Sequence, residues 1–550
     1  MLRTPARLVS MKKAAASRRL MLEFFARNAV DSRGERILFW VPGGYPGILQ
    51  VEGALAAALR VRGVEVHAVL CDGAFAACVR REQADGIPLS KWANLCLGCR
   101  KATASVLEGI GIPYSWIGDY VPEDERIELA AESAGVTWGT LDSLDRDGLH
   151  VPRNIRSSII RYLKGVPLEG NEEIVEPYAF SAMLCASAAG RAIDDFAPTS
   201  IFMSHAVYVD WGTMNSVAAK RGVPLTAWLP GFVQDRFYFR HVDDPVFSDL
   251  SQISDDAWRE ANAYPLYSAQ DEALDSYIDA RYRRGVALDP FADYSADLQA
   301  LRERYGVQPD RPTWGIMGHV SWDNVTDYAP MIYADFEDWI VDTVGRAIAN
   351  PDVNWLVKSH QWEGKTNPDT GLQRLIERTY ADLPPHVRVI PFDEDLNPLA
   401  FYELIDGVVT VYGTGGLEVA SMGKPVVLAG TAYYGSRGLT HDGVDIATYR
   451  DLLASVARIG PLTPEQTAVA RRFAYTHFIR RQVPVPTIHN PGSAWWELKF
   501  GPQDYWWEFQ VHQRGQLLPG ADPFLDMICD RILDGRDFVM SEELVKRLND

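Results

Sequence analysis

The sequence predicts an α/β protein in two halves, and three observations carry that reading. "RILFWVPGGYPGILQVEGALAAALRVRGVEVHAVLCDG" alternates an apolar run, a glycine-rich turn, an amphipathic stretch and a second apolar run, which is the pattern of a βαβ unit. A second series of such units begins near Trp314. The chain has 550 residues and 47% hydrophobic content, more than one ordinary core accommodates, so two domains are expected.

Taken in order, the first unit reads as a strand from Ile37 to Val41, a helix from about Gln50 to Arg62 and a strand from Val64 to Leu70. Gly43, Gly44 and Gly47 fall where strand hands over to helix, where glycine lets a ligand approach the backbone. They do not form the G-x-G-x-x-G dinucleotide fingerprint. A later unit reads as a strand from Ser200 to Met203, a helix from about Gly212 to Arg221 and a strand from Pro224 to Trp228. Ser204 and His205 then lie at a strand's C-terminal end, where parallel sheets place ligands. A charged helical stretch from Phe247 to Gln308 separates this half from the next. The second half offers strands at Trp314 to Met317, "NWLVKSHQW", "VRVIPFDE", "GVVTVY" and "PVVLAG", with helices between them. The expected division is a basic segment 1–35, domains 36–270 and 271–470, and a helical, Trp-rich segment 471–550.

The formal net charge of −19 argues against a general nucleic-acid binder, which needs a basic face. No apolar run reaches the 18 residues of a membrane-spanning helix. The first 30 residues are basic and lack the unbroken apolar core of a signal peptide. They suit an amphipathic helix in which Val9, Leu20, Met21, Phe24 and Phe25 share a side. Such a helix either attaches to an anionic membrane surface or packs on its own domain. Cys71, Cys78, Cys96 and Cys99 cluster in sequence, the last two as a C-x-x-C pair. A zinc or iron–sulfur site is one reading, because thiolates suit both; reduced structural or redox-active thiols are the other. "GSAWWELKFGPQDYWWEFQ" holds four tryptophans that could stack on sugar rings, although packing is the commoner use of such residues.

The segment "VYGTGGLEVASMGKPVVLAGTAYYGSRGLTHD" carries the most chemistry. Its strand is expected to end at Tyr412, Gly413, Thr414, Gly415 and Gly416 make the turn, and a helix opens with Glu418 in its first turn. Exposed N–H groups and the positive end of the helix dipole suit a phosphate there. Glu418 reads either as a ribose partner or as a favourable first-turn acid. Lys358 and His360 lie past one strand end, and His319, Asp323 and Asn324 past another. In a parallel sheet these ends share an edge, where cation, imidazole and helix terminus would hold a nucleotide phosphate.

The glycine turn, Glu418-Val419-Ala420, the Gly-Lys-Pro-Val strand start, the tyrosine pair and Gly-Leu-Thr-His-Asp together resemble the bacterial capsule polysaccharide biosynthesis family, which includes the capsule Kdo transferases. Lys358-Ser359-His360 is similar to that family's Lys-x-His-Pro element, with Gln361 in place of the proline. The resemblance implies a GT-B-like fold of two Rossmann-like domains facing a central cleft, with C-terminal helices. It implies a metal-independent glycosyltransferase needing no cofactor beyond its donor, a CMP- or UDP-sugar, and acting on a glycan or lipid-linked glycan acceptor. The donor would be held by Lys358, His360, Gly413–Gly416, Glu418, Asn324 and Thr440, with "AYYGSRGLTHD" as a loop over the sugar. Catalysis would need a carboxylate near the oxocarbenium-like centre, for which Asp210, Asp323 and the neighbouring His205 are the candidates, with His441 and Asp442 behind them. Nucleotide sugars imply a cytoplasmic protein, at the inner face of the membrane if the basic helix attaches there. A sugar-nucleotide epimerase or hydrolase and a non-catalytic glycan-binding scaffold are the competing readings.

Overall fold

The computed structural model describes residues 5–549 except 44–45, 145–147, 234–235, 288–290, 295–296, 324–326, 328, 364–368 and 486–513. The chain divides into two units. The first comprises residues 1–162, 168–250 and 483–550, the second residues 163–167 and 251–482. Thirteen strands among the described residues, numbered in chain order, form one sheet in each unit.

In the first unit these are β1 (Arg36–Val41), β2 (Glu65–Leu70), β3 (Tyr114–Trp116), β4 (Ser200–Ser204), β5 (Leu225–Pro230), β6 (Arg236–Val242) and β13 (Val483–Pro484), in the spatial order β13-β6-β5-β4-β1-β2-β3. All pairings are parallel except β5 with β6 and β6 with β13. Ile37 to Val41 are buried on both faces, which is why β1 reads as an unbroken apolar run rather than an alternation. The helix Pro46–Arg60 covers the sheet with small residues, Ala54, Ala56, Ala57 and Ala58, all buried.

The second unit's sheet has β7 (Thr313–Met317), β8 (Asn354–Lys358), β9 (Val387–Ile390), β10 (Gly407–Thr410), β11 (Val426–Leu428) and β12 (His441–Asp442), in the order β12-β11-β10-β7-β8-β9. Every pairing is parallel. Its helix starts are chemically specified. Asn397 accepts the Leu399 N–H at 2.9 Å ahead of Pro398, and Thr463 and Gln466 form a reciprocal capping box at the helix Pro464–Tyr475, each satisfying otherwise orphaned donors.

The α/β class with two Rossmann-like units is thus borne out, while the boundaries differ from those expected. Residues 251–270 go with the second unit because the helix Asp255–Asn262 packs on Pro464–Tyr475, with Arg472 bonded to Asn262 at 2.8 Å and the Trp258 ring tilted against Phe473, centres 5.0 Å apart. The tail from Val483 rejoins the first unit. Val483 pairs with Phe237, and the buried Arg62 holds both the Leu517 carbonyl, at 2.8 Å, and the Asp526 carboxylate. The Trp-rich stretch lies largely within 486–513, outside the described residues.

The later turns of the helix Pro5–Arg27 pack on their own unit. Met21, Phe24 and Phe25 are buried as it packs on the helix Trp92–Ile110. Ser17 donates to the Gly109 carbonyl at 3.2 Å, and the Arg60 guanidinium lies 4.3 Å from the centre of the Phe25 ring. These apolar side chains are therefore packed on protein rather than presented to a lipid surface. Phe25→Ala should cost about 3 kcal/mol of stability, the usual loss for an aromatic ring removed from a packed site. Urea unfolding followed by far-UV circular dichroism measures it, and an unchanged midpoint would contradict this packing.

Candidate functional site

The second sheet reverses its order of strand addition at β7, with β8 and β9 on one side and β10 to β12 on the other. Open α/β sheets bind ligands at such a reversal, beyond the C-terminal ends of the strands. The segments leaving β7, β8 and β10 meet there. Gly318 donates its N–H to the Lys358 carbonyl at 2.9 Å, tying the first two. His319 ties the first to the third: its Nε2 accepts the Val411 N–H at 3.2 Å and lies 3.0 Å from the Thr410 hydroxyl. The imidazole stacks on Phe336, with ring centres 4.6 Å apart and planes within 10°. Burial, helped by the nearby His360, pushes its pKa down to about 3. Burial also lowers that of Lys358, with Glu394 acting in the opposite sense. His360 turns its Nδ1 to accept the Trp362 N–H at 3.2 Å.

The helix Thr414–Ser421 begins at this edge with Gly413 as its N-cap. β10 ends at Thr410, two residues before the expected Tyr412, because Val411 gives its N–H to His319 instead of to a neighbouring strand. The glycines have packing reasons. A Cβ on Gly415 would stand 2.6 Å from the Tyr402 hydroxyl and 2.8 Å from Met317 Cε, and one on Gly416 would overlap the Tyr434 hydroxyl. That hydroxyl donates to the Gly413 carbonyl at 2.8 Å and so ties down the N-cap. Gly413, Thr414 and Gly415 remain half-buried, leaving the first-turn N–H groups at the edge shared with His319.

Glu418 does not have the ribose-binding role expected of it. Its side chain is 1% exposed, one turn into the helix, and both oxygens are engaged: Arg281 at 2.5 Å and the Tyr282 hydroxyl at 2.5 Å. It joins its helix to Ser268–Arg283. Burial raises the Tyr282 pKa, which keeps the phenol a donor. Burial opposes the charge on Arg281, but Glu418 together with Tyr282, Tyr277 and Tyr402 outweighs it and the pKa is raised.

Thr440 spends its hydroxyl inside its own loop, on Asp442 at 2.6 Å, and Asp442 also takes the Ser436 N–H at 2.7 Å. His441 forms part of β12, where burial lowers its pKa and Asp442 acts in the opposite sense. Asp323 is exposed in the loop after β7, and Asn324 lies outside the described residues. Glu363 is a residue that sequence reading missed. It is buried three positions beyond His360, accepts the Gln373 N–H at 3.4 Å, and has its pKa pushed up to about 7 by burial. Its only sequence signal is an acid following the Lys358-Ser359-His360 element.

The first sheet reverses in the same way between β1 and β4. Beyond β4 the backbone is strained, with φ of +60° at His205, +62° at Ala206 and +64° at Tyr208, leading into a π-helical turn Tyr208–Gly212. His205 stacks on Trp211 at 4.9 Å. Asp210 is fully buried: Oδ1 accepts the Val79 N–H at 3.3 Å, and burial pushes its pKa up to about 7. That value suits a proton acceptor, but the carboxyl is sealed from solvent. Asp72, just beyond β2, is half-buried and accepts the Gly118 N–H at 3.3 Å.

The four clustered cysteines are free thiols. Cys71 and Cys78 lie in irregular backbone, while Cys96 and Cys99 lie on the helix Trp92–Ile110. Cys71 accepts the Gly73 N–H at 3.3 Å, and Gly73 in turn abuts Cys96, whose Cβ would be 2.9 Å from an added Cβ. Burial pushes Cys71 up to about 12 and raises Cys78 and Cys96, so these thiols stay protonated. Among the described residues no group of three or more His, Cys, Asp or Glu side chains is arranged to hold a metal ion. The zinc or iron–sulfur reading of Cys71, Cys78, Cys96 and Cys99 thus finds no such ligand set among the described residues, although the thiols lie near enough to act on one another, Cys71 with Cys99 and Cys78 with Cys71 and Cys96. Cys185 and Cys529 are buried, packed side chains.

The fold and this edge define a class, an α/β protein of two Rossmann-like units, GT-B-like in that respect, with a helix N-terminus and two histidines at the strand-order reversal of the second. The comparison with protein families is consistent with it: residues 340–451 match the family described as capsule polysaccharide biosynthesis protein, so the resemblance read from the sequence is borne out over that segment. No curated protein matches the chain. Solved structures similar to it include the Thermosulfurimonas dismutans KpsC β-Kdo 2,4 transferase, at 17% identity over 50% of this chain and 79% of that one, with a TM-score of 0.32. The β-Kdo 2,7 transferase of the same protein gives 14% identity over 52% and 79%, with a TM-score of 0.27. The Neisseria meningitidis UDP-GlcNAc 2-epimerase bound to UDP-GlcNAc gives 10% over 81% and 96%, with a TM-score of 0.25. At these scores the fold assignment rests on the sheets themselves.

Arg281→Met leaves Glu418 charged, buried and without its cation, and should cost about 3–5 kcal/mol. Urea unfolding measures it, and a loss below 1 kcal/mol would mean the pair is solvated. Glu363 gives a pH signature. Its folded pKa, about 7, lies above its ordinary 4.5, so the stability it contributes is full below pH 4.5 and lost as pH rises through 7. Glu363→Gln should therefore gain in melting temperature relative to the parent as pH rises from 5 to 8, and a pH-independent difference would contradict the buried acid.

Proposed function

We propose that this chain is a glycosyltransferase that moves a sugar from a CMP- or UDP-sugar onto a growing capsular or other surface glycan. The observation that carries the reading is the meeting of Lys358, His360, His319 and the N-terminus of the Thr414–Ser421 helix at the β7–β10 reversal. That edge offers positive charge and N–H donors where a nucleotide phosphate would sit. Negative charge that develops on the departing phosphate then meets donors already in place, which lowers the barrier to glycosyl transfer. The family match over residues 340–451 supports the same reading. The remaining assignments are part of the proposal: a glycan or lipid-linked glycan acceptor, a location in the cytoplasm where nucleotide sugars are made, and association with the inner membrane face.

A panel of CMP- and UDP-sugars in a thermal-shift assay tests this. A donor at 100 times its dissociation constant should stabilise the protein by about 2.7 kcal/mol. His360→Ala should reduce that shift while keeping the parental melting temperature without ligand. No shift with any donor, or an undiminished shift in His360→Ala, would remove the assigned site. Donor turnover without acceptor would assign hydrolysis or epimerisation instead.

A further inference from the structure

His319 is oriented in a way that restricts its chemistry. The Val411 N–H can only donate, so the Nε2 it meets at 3.2 Å carries the lone pair. A neutral imidazole of that kind has its hydrogen on Nδ1. The ring is held in place by the Phe336 stack at 4.6 Å, the Trp339 edge at 5.6 Å and the Thr410 hydroxyl at 3.0 Å from Nε2. Its Cε1, bonded to both ring nitrogens, is 3.2 Å from where a Cβ on Gly413 would stand, and Nε2 is 3.9 Å away. Nδ1 is thus one bond from the atom that abuts the N-cap of the Thr414–Ser421 helix. Among the described residues no group accepts it, since both hydrogen bonds of this ring are made at Nε2.

We propose that His319 is an obligate neutral hydrogen-bond donor, through Nδ1–H, to a phosphate oxygen of the nucleotide bound at the β7–β10 reversal. This rests on the donor-site reading above and gives that site a residue with one fixed role. Lys358 and the helix N-terminus already supply positive character at this edge. A charged His319 would set a second N–H against that of Val411 and bury a charge. A neutral donor contributes direction without either cost, and the same lock bars His319 from acting as a general acid or base near neutral pH.

The test uses full-length protein carrying 15N-labelled histidine side chains, with the His319 signals assigned by their loss in His319→Phe. UDP and CMP are the probes. The expected result is a protonated Nδ1 and an unprotonated Nε2 from pH 8 to pH 5, with Nδ1 shifting when a nucleotide binds. His319→Phe should weaken nucleotide binding about tenfold, the usual scale for one hydrogen bond to a charged group. His319→Asn, whose amide N–H can occupy the Nδ1 position, should recover much of the loss. A protonated Nε2, an Nδ1 signal that stays put while the nucleotide raises the melting temperature, or parental affinity in His319→Phe would overturn the proposal and leave the donor site standing. Failure of the parent protein to bind either nucleotide would remove the donor site and this inference with it.

Discussion

The reversal of strand order at β7 is the constraint from which the second unit's chemistry follows. Crossovers to β8 and β10 leave on opposite sides of β7, so the connections diverge and open a gap beyond the strand ends. The segments carrying His319, Lys358-Ser359-His360 and the helix start at Thr414 meet at that gap. The gap needs a fixed floor, and His319 supplies it by joining the ends of β7 and β10 through the Val411 N–H. That bond also ends β10 early, since an N–H spent on a side chain cannot continue the ladder. Strand termination and site formation are here one interaction.

The glycine cluster changes meaning under this view. None of Gly413, Gly415 and Gly416 has a positive φ, so conformational freedom is not what selects them. Tyr402, Met317 and Tyr434 occupy the space their side chains would need. Enlarging a residue in such a packed site typically costs 1–3 kcal/mol. The aromatic groups bring the sheet and the following loop close against the helix start, and Tyr434 fixes the Gly413 carbonyl. A helix terminus held this firmly needs little reorganisation to receive an anion. Packing and ligand approach therefore favour the same small residues.

The strands were legible because buried parallel strands write themselves as apolar runs, and those from β1 to β11 that were expected appear within a few residues. The convergence of Lys358, His360 and the glycine turn on one sheet edge was legible for the same reason, since strand ends in a parallel sheet share a side. Glu418 was misread because its partner, Arg281, lies 137 positions away, and a first-turn acid looks alike whether it faces solvent or an arginine. The domain boundary failed likewise: β13 joins β6, and Arg62 reaches Asp526, across separations that no local pattern encodes. The cysteines show the converse error. Closeness in sequence suggested a ligand set, and the thiols do lie near one another, but among the described residues they are not arranged to hold a metal ion.

The first unit repeats the reversal, between β1 and β4, and treats it differently. Its turn after β4 holds three non-glycine residues at positive φ and a π-helical turn, whereas the turn after β10 holds none. Left-handed backbone at such residues costs about 1–3 kcal/mol each, so other contacts must hold it. Trp40 donates to the Asp210 carbonyl at 2.8 Å, Ser158 accepts the Val209 N–H at 2.8 Å, and Gly212 lies so close to Asn154 that a Cβ would stand 2.5 Å from its Oδ1. These contacts come from two separate segments of the first unit, β1 and the helix Val151–Leu163, and they converge on the turn that buries Asp210. Relaxing the turn would release strain and expose a carboxyl whose pKa burial holds near 7; in water that carboxyl would return toward its ordinary acidity. The energy that keeps this carboxyl proton-binding near neutrality is thus the energy that keeps the turn strained, and the two can only change together.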